Sequence, residues 1–228
     1  MCYAGGMQSP TAPLNGRRAQ AARNDQLIME AARAVFIADP AAPIAAVAAR
    51  AGVGISALYR RYRSKDDLLQ RLCLDGLRRY ITATEAALAD HGDAWSAFAR
   101  FMRRCLDEGT GALTLRFAGT FMASEELRRA GHTAHDATQR LLERTKAAGA
   151  LRADLAVGDL SLLFEQLQAV RVGNEQRTRQ LQHRYLTLLL DALHAPAAPL
   201  PGPPPRWDEI STAVTPLAPP RTSAPRRC

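Results

Sequence analysis

The chain has 228 residues, is 47% hydrophobic and carries a formal net charge of +8 with a pI near 9.9. That length suffices for one large or two small domains with a buried core, and the basic balance favours a polyanionic partner. Cys2, Cys73, Cys105 and Cys228 are scattered without a Cys-x-x-Cys pair, and neither a membrane-spanning apolar run nor an apolar signal core is present, which argues against a zinc site, a disulfide framework, a membrane span and secretion. A cytoplasmic protein is expected.

Residues 1–22 hold Gly5, Gly6, Pro10, Pro13 and Gly16, then Arg17 and Arg18, and are expected to form a disordered basic arm reaching phosphates or the minor groove, or else a plain solvated tail. Residues 23–70 are expected to form one domain. Its first helix covers Gln26 to Phe36. A second, Ile44 to Ala51, is alanine-rich, with Ile44, Val47, Ala48 and Ala51 on one face and Pro43 at its first position. Gly52 supplies the left-handed cap that stops it. Val53 plugs the corner, Gly54 begins a third helix, and Leu58 and Tyr62 point it inward. Two short helices joined by a glycine-containing turn are the helix-turn-helix pattern, whose second helix enters the DNA major groove. Residues 1–80 carry twelve basic and six acidic side chains, a net +6 against +2 for the other 148, so positive charge collects where phosphate neutralisation needs it.

The run Ile44, Ala45, Ala48, Ala51-Gly52-Val53, Ser56-Ala57-Leu58-Tyr59, Tyr62 and Ser64-Lys65-Asp66-Asp67-Leu68-Leu69 resembles the DNA-binding segment of the TetR/AcrR family of bacterial transcriptional regulators. The resemblance implies an all-α fold of about nine helices: a three-helix helix-turn-helix domain, then a helical ligand-binding and dimerisation domain. It implies a homodimer on double-stranded operator DNA, most often a repressor released by a small-molecule effector. The candidate DNA-contacting residues are Gly54, Ile55, Ser56, Tyr59, Arg60, Arg61, Arg63 and Lys65. The family often has Ser or Thr at Gly54 and Pro43, His or Tyr at Arg61, and Phe at Tyr62. One or two phosphate contacts are therefore expected to be missing, with Arg60, Arg61 and Arg63 as replacements.

Residues 71–195 are expected to form the effector-binding and dimerisation domain. Ser64 caps a long helix from Lys65 to about residue 89, a lever that a ligand can tilt. Asp93 caps a helix to about residue 107, and a shorter helix carries Leu113, Leu115, Phe117, Phe121 and Met122. Ser124 caps the next, to about residue 148. Phe98, Phe101, Met102, Cys105, Phe117, Phe121, Phe164 and Gln168 are the candidate effector pocket, or else ordinary core; Arg116 and Thr120 are further polar candidates. Amphipathic helices over Asp159 to Val172 and Glu175 to about residue 194 offer Leu163, Leu167, Val170, Leu181, Tyr185, Leu188 and Leu189 as a dimer interface forming a four-helix bundle.

His132 and His135 share a helix face but lack a third ligand, so no metal site is expected. No glycine-rich phosphate loop or nucleophile–base arrangement appears, so neither a cofactor nor an enzyme is expected. Residues 196–228 hold ten prolines in 33 positions and are expected to be a disordered tail. The alternatives are a helical small-molecule-binding protein or enzyme without DNA function, and a structural DNA binder with weak sequence preference.

Overall fold

The computed structural model describes residues 12–110, 117, 121–196, 198–206 and 209–210. All regular structure among them is helical: α1 (Ala12–Ala38), α2 (Ile44–Ala51), α3 (Ile55–Arg61), α4 (Lys65–Ala89), α5 (Ala94–Glu108), α6 (Glu125–Ala147), α7 (Val157–Ala169) and α8 (Glu175–Leu193). The chain divides after Leu68 into two compact units.

In the first unit, Ile28, Ala32 and Phe36 of α1, Val47 and Ala48 of α2, and Leu58 with Tyr62 are buried. The α2–α3 corner is made by backbone geometry. Gly52 takes φ 66°, its N–H donates to the Ala49 carbonyl, and the Val53 N–H donates to Ala48. A side chain at Gly52 meets no neighbour, so glycine is favoured there by conformation alone. Pro43 sits one position earlier than expected, as the extended residue before the helix, which suits its fixed φ. At the start of α4 the Ser64 hydroxyl accepts from the Asp67 N–H while the Asp67 carboxylate accepts from the Arg63 N–H, a reciprocal cap.

The second unit closes around Phe98, Phe101, Met102 and Cys105 of α5, Leu141 and Leu142 of α6, Phe164 of α7, and Leu186 and Leu190 of α8, with Ala83 and Ala87 of α4. Local caps set the helix ends: Asp93, Ser124 and Asn174 each accept a backbone N–H three residues on. α7 starts at Val157 and ends at Ala169, earlier at both ends than its apolar pattern suggested, because Asp159 accepts from the Ala156 N–H and so belongs to the first turn.

Three expectations change. The backbone is helical from Ala12, so residues 12–22 of the expected arm belong to α1, and residues 1–11 lie outside the described residues. The reason is composition: the run Arg17-Arg18-Ala19-Gln20-Ala21-Ala22-Arg23 consists of strong helix formers and continues α1 without a break. Leu113, Leu115, Arg116 and Thr120 lie outside the described residues, Phe117 is helical and buried, and Phe121 and Met122 follow in irregular backbone.

The third change is the proline-rich segment, whose first part is a docked strap. Arg152 donates to the Ala198 carbonyl, the Leu200 N–H donates to Asp154, and Ile210 is only 3% exposed. The ion pair with Arg152 and the Leu200 N–H hold the Asp154 carboxyl far below the usual carboxylate range. Prolines have no N–H to satisfy, so this segment docks with few backbone hydrogen bonds. Its seat is Gly158, where a Cβ would strike the Pro205 carbonyl and lie 2.7 Å from Ile210 Cδ1. Gly158→Ala is therefore expected to undock the strap. If undocking costs about 1.4 kcal/mol, trypsin cuts after Arg206 roughly tenfold faster than in wild type; unchanged cleavage would show that the strap shifts without leaving. Residues 211–228 lie outside the described residues.

Candidate nucleic-acid interface

α3 is short, and its two faces differ in kind. Leu58 is fully buried and Tyr62 is 3% exposed, which anchors the helix to its unit. Gly54, Ile55, Ser56, Tyr59 and Arg60, with Arg63 just beyond, are exposed. Tyr59 is 48% exposed and Ile55 41%, high values for apolar side chains on an otherwise packed unit. These candidates therefore form one surface that combines a hydroxyl, a phenol, an aliphatic group and two guanidinium ions. Such a set suits base edges, thymine methyl groups and phosphates. Gly54 takes φ −65° with open space around it, so its place does not require glycine, and it offers no side-chain cap to the exposed N-terminus of α3.

Two of the sequence candidates are engaged elsewhere. Arg61 was expected among the phosphate contacts, but its guanidinium forks onto Asp25 of α1, Nε to Oδ1 at 2.9 Å and Nη2 to Oδ2 at 2.8 Å. The Tyr62 hydroxyl donates to the same Oδ1 at 2.6 Å. Burial, then the bond to Asp25, raises the Tyr62 phenol well above its ordinary range, so it stays a donor. Lys65 was likewise expected on phosphate. Its Nζ donates to the Pro40 and Ala42 carbonyls at 3.2 and 2.8 Å and lies 5.2 Å from the centre of the Phe36 ring. It fastens the α1–α2 turn, because those carbonyls have no helical partner and an ammonium satisfies both. Asp25 was missed by the sequence reading. It lies 36 residues from Arg61, and no local spacing signals the pairing.

In the second unit the expected pocket residues Phe98, Phe101, Met102, Cys105, Phe117, Phe164 and Gln168 are all buried, and Phe121 is half-buried. Phe101 meets Tyr80 edge-on with centroids 5.4 Å apart, and Phe98 lies against Trp95 at 5.7 Å. Polar groups sit within this apolar setting. The Thr138 hydroxyl is 3.0 Å from the Tyr80 hydroxyl, and Gln168 Nε2 donates to the Leu106 carbonyl. Burial pushes the Cys105 thiol far up, so it stays neutral. Tyr80 and Thr84 were not singled out in the sequence, although their spacing of four on α4 puts them on one face. Among the described residues no group of three or more His, Cys, Asp or Glu is placed to hold a metal ion. No described helix is long and apolar enough to cross a membrane.

Of the expected interface residues, Leu167 is 2% exposed and belongs to the unit's own core, because it falls on the α7 face that carries Leu160 and Phe164. Leu163 and Leu189 are half-buried against that core, and Val170 and Leu181 are half-buried as well. Tyr185 and Leu188 of α8 are exposed, as is Leu162 of α7.

A left-handed glycine corner, a buried Leu58–Tyr62 anchor and an exposed basic second helix define a helix-turn-helix DNA-binding protein. Residues 28–72 match the model of the bacterial regulatory proteins of the tetR family, and residues 91–195 match that of the transcriptional regulator SbtR-like C-terminal domain. Together these cover well over half of the chain, which belongs to the TetR family of DNA-binding transcriptional regulators. Solved structures share the fold. LfrR from Mycobacterium smegmatis, a TetR-like regulator in complex with proflavine, has 24% identity and a TM-score of 0.56, covering 74% of this chain and 96% of its own. SCO0520 from Streptomyces coelicolor has 22% identity and a TM-score of 0.53, over 75% and 99%. A TetR regulatory protein from Mycobacterium vanbaalenii has 27% identity and a TM-score of 0.51, over 78% and 99%. No curated protein sequence matches the chain.

Proposed function

We propose that this regulator is a repressor that sits on a two-fold operator as a homodimer and leaves it when a small molecule enters the second unit. The observation that carries the reading is the surface of α3, where Ser56, Tyr59 and Arg60 stand exposed over a buried anchor, with Arg63 beside them. Gly54 and Ile55 at its N-terminus lie where recognition helices approach base edges. Arg60 and Arg63 supply positive charge whose guanidinium partners are phosphate or guanine. Support for pairing comes from Leu162, Tyr185 and Leu188, apolar side chains exposed on α7 and α8, with half-buried Leu163, Leu181 and Leu189 on the same two helices and half-buried Val170 just past the end of α7. The effector site is assigned to the aromatic interior around Phe98, Phe101, Met102, Cys105, Phe117, Phe121, Phe164 and Gln168, where the Tyr80 and Thr138 hydroxyls supply polar contacts. α4 runs from the first unit into the second and is the element a ligand would tilt.

The test is a titration of the gene's own upstream duplex at physiological salt, with a scrambled duplex as competitor. Selective binding with Kd about 10 nM or tighter and two chains per site is expected. Tyr59→Ala should weaken it roughly ten- to hundredfold with the oligomeric state unchanged. Wild-type affinity in that variant would remove Tyr59 from the interface, and failure to bind any duplex at low salt would sink the reading.

A further inference from the structure

The carboxylate of Asp25 accepts from two residues at the end of α3: from Arg61, its last residue, through Nε and Nη2, and from Tyr62, the residue that stops it, through its hydroxyl. Tyr62 is buried, so the carboxylate ties a core aromatic ring and a surface guanidinium to one point on α1. A planar guanidinium held by two parallel bonds has a fixed direction. Its charge is also neutralised where it stands, since Asp25 and Arg61 meet at 2.8 Å. Arg60 and Arg63, the flanking arginines, are exposed on either side of this pair. All three arginines are thus exposed, and Arg61 is the one whose guanidinium is tied back onto α1 of its own unit.

We propose that Asp25 is a positioning residue for DNA recognition: it fixes the C-terminal end of α3 through Arg61 and Tyr62 and withholds the Arg61 charge from the phosphate backbone. Arg61 then adds nothing to the count of phosphates neutralised, while α3 is held at one angle for reading bases. This rests on the DNA-binding reading of α3. Holding one cation back lowers affinity for any duplex and leaves more of the binding to base contacts, which favours selectivity.

The test is the slope of log K against log[salt], measured on the full chain with a scrambled duplex, which needs no knowledge of the operator. Each phosphate neutralised contributes about −0.9 to that slope. Arg61→Gln alone should leave the slope at its wild-type value, whereas Arg60→Gln or Arg63→Gln should flatten it. Asp25→Asn keeps an oxygen for the Tyr62 hydroxyl but loses the charge that holds Arg61. It should steepen the slope by about 0.9 and bind the scrambled duplex more tightly at low salt. Asp25→Asn combined with Arg61→Gln should restore the wild-type slope. A purely structural role for Asp25 would lower the melting temperature and leave the slope alone. The inference is overturned if Arg61→Gln flattens the slope by about 0.9, which would place that arginine on phosphate already. It is equally overturned if a folded Asp25→Asn keeps the wild-type slope. Should Asp25→Asn fail to fold, the Arg61→Gln slope decides, because that side chain is 55% exposed and substitutions at exposed positions usually cost little stability. A wild type that binds no duplex overturns both this inference and the reading beneath it.

Discussion

Leu188→Asp is expected to leave the second unit folded and to turn the proposed dimer into a monomer. Leu188 is 56% exposed and Tyr185 46%, on a helix whose opposite face carries the buried Leu186, Leu190 and Leu193. Residues 181, 185 and 188 repeat at four and three along α8, so they form one stripe. In a two-fold pairing the same stripe meets itself, and an aspartate there brings two carboxylates into an apolar contact. Burying such unpaired charges costs several kcal/mol, enough to dissociate an interface of ordinary size. Operator affinity is then expected to fall by a hundredfold or more, since in the proposed dimer each half-site would be read by a separate chain and one module binds weakly alone. Light scattering checks the mass, and the helical signal in circular dichroism checks the fold. An unchanged dimer would move the interface away from α8. Leu167 gives the contrast: at 2% exposure, aspartate there should unfold the unit rather than split a dimer.

Phe164→Ala is expected to remove about 3–5 kcal/mol of stability, read as a lower denaturation midpoint in urea. Phe164 lies in α7 at 1% exposure, in the cluster that holds Phe98, Phe101, Met102 and Leu190. Whole domains are stable by only about 5–15 kcal/mol, so the loss is a large share of the total. The size of the effect also separates two descriptions of the interior. A ring packed on all sides leaves a cavity when truncated. One facing an open effector pocket loses fewer contacts, and its removal costs about 1.5 kcal/mol or less. A small loss would mark Phe164 as pocket wall in the unliganded protein. A large one means that, in the proposed effector site, a ligand would have to displace packed side chains to enter.

Much of the fold was legible because helix ends are local chemistry. Asp93 and Ser124 each meet a backbone N–H three residues on, and Gly52, Gly109 and Gly149 take φ of 61–69° where helices stop. Such signals need only a few residues of context. The exposed set on α3 was legible for the same reason, since Leu58 and Tyr62, four apart, fix which side faces inward. The family followed from the ordered run between Ile44 and Leu69, and the matched segment at residues 28–72 contains that run entirely.

What the chain determines by itself, then, is its helices, their caps, the glycine corner and the basic surface of α3, all set within a turn or two of sequence. Only the tertiary structure decided where the long polar side chains ended. Arg61 reads as a phosphate contact until Asp25 arrives from 36 residues away, and so does Lys65 until the Pro40 and Ala42 carbonyls come beneath it. It also placed Leu167 in the core and seated Pro205 and Ile210 over Gly158. Periodicity states that a face is apolar, but not whether the same chain or a second copy covers it. A flexible cation has several partners within reach, and packing between distant segments selects one of them.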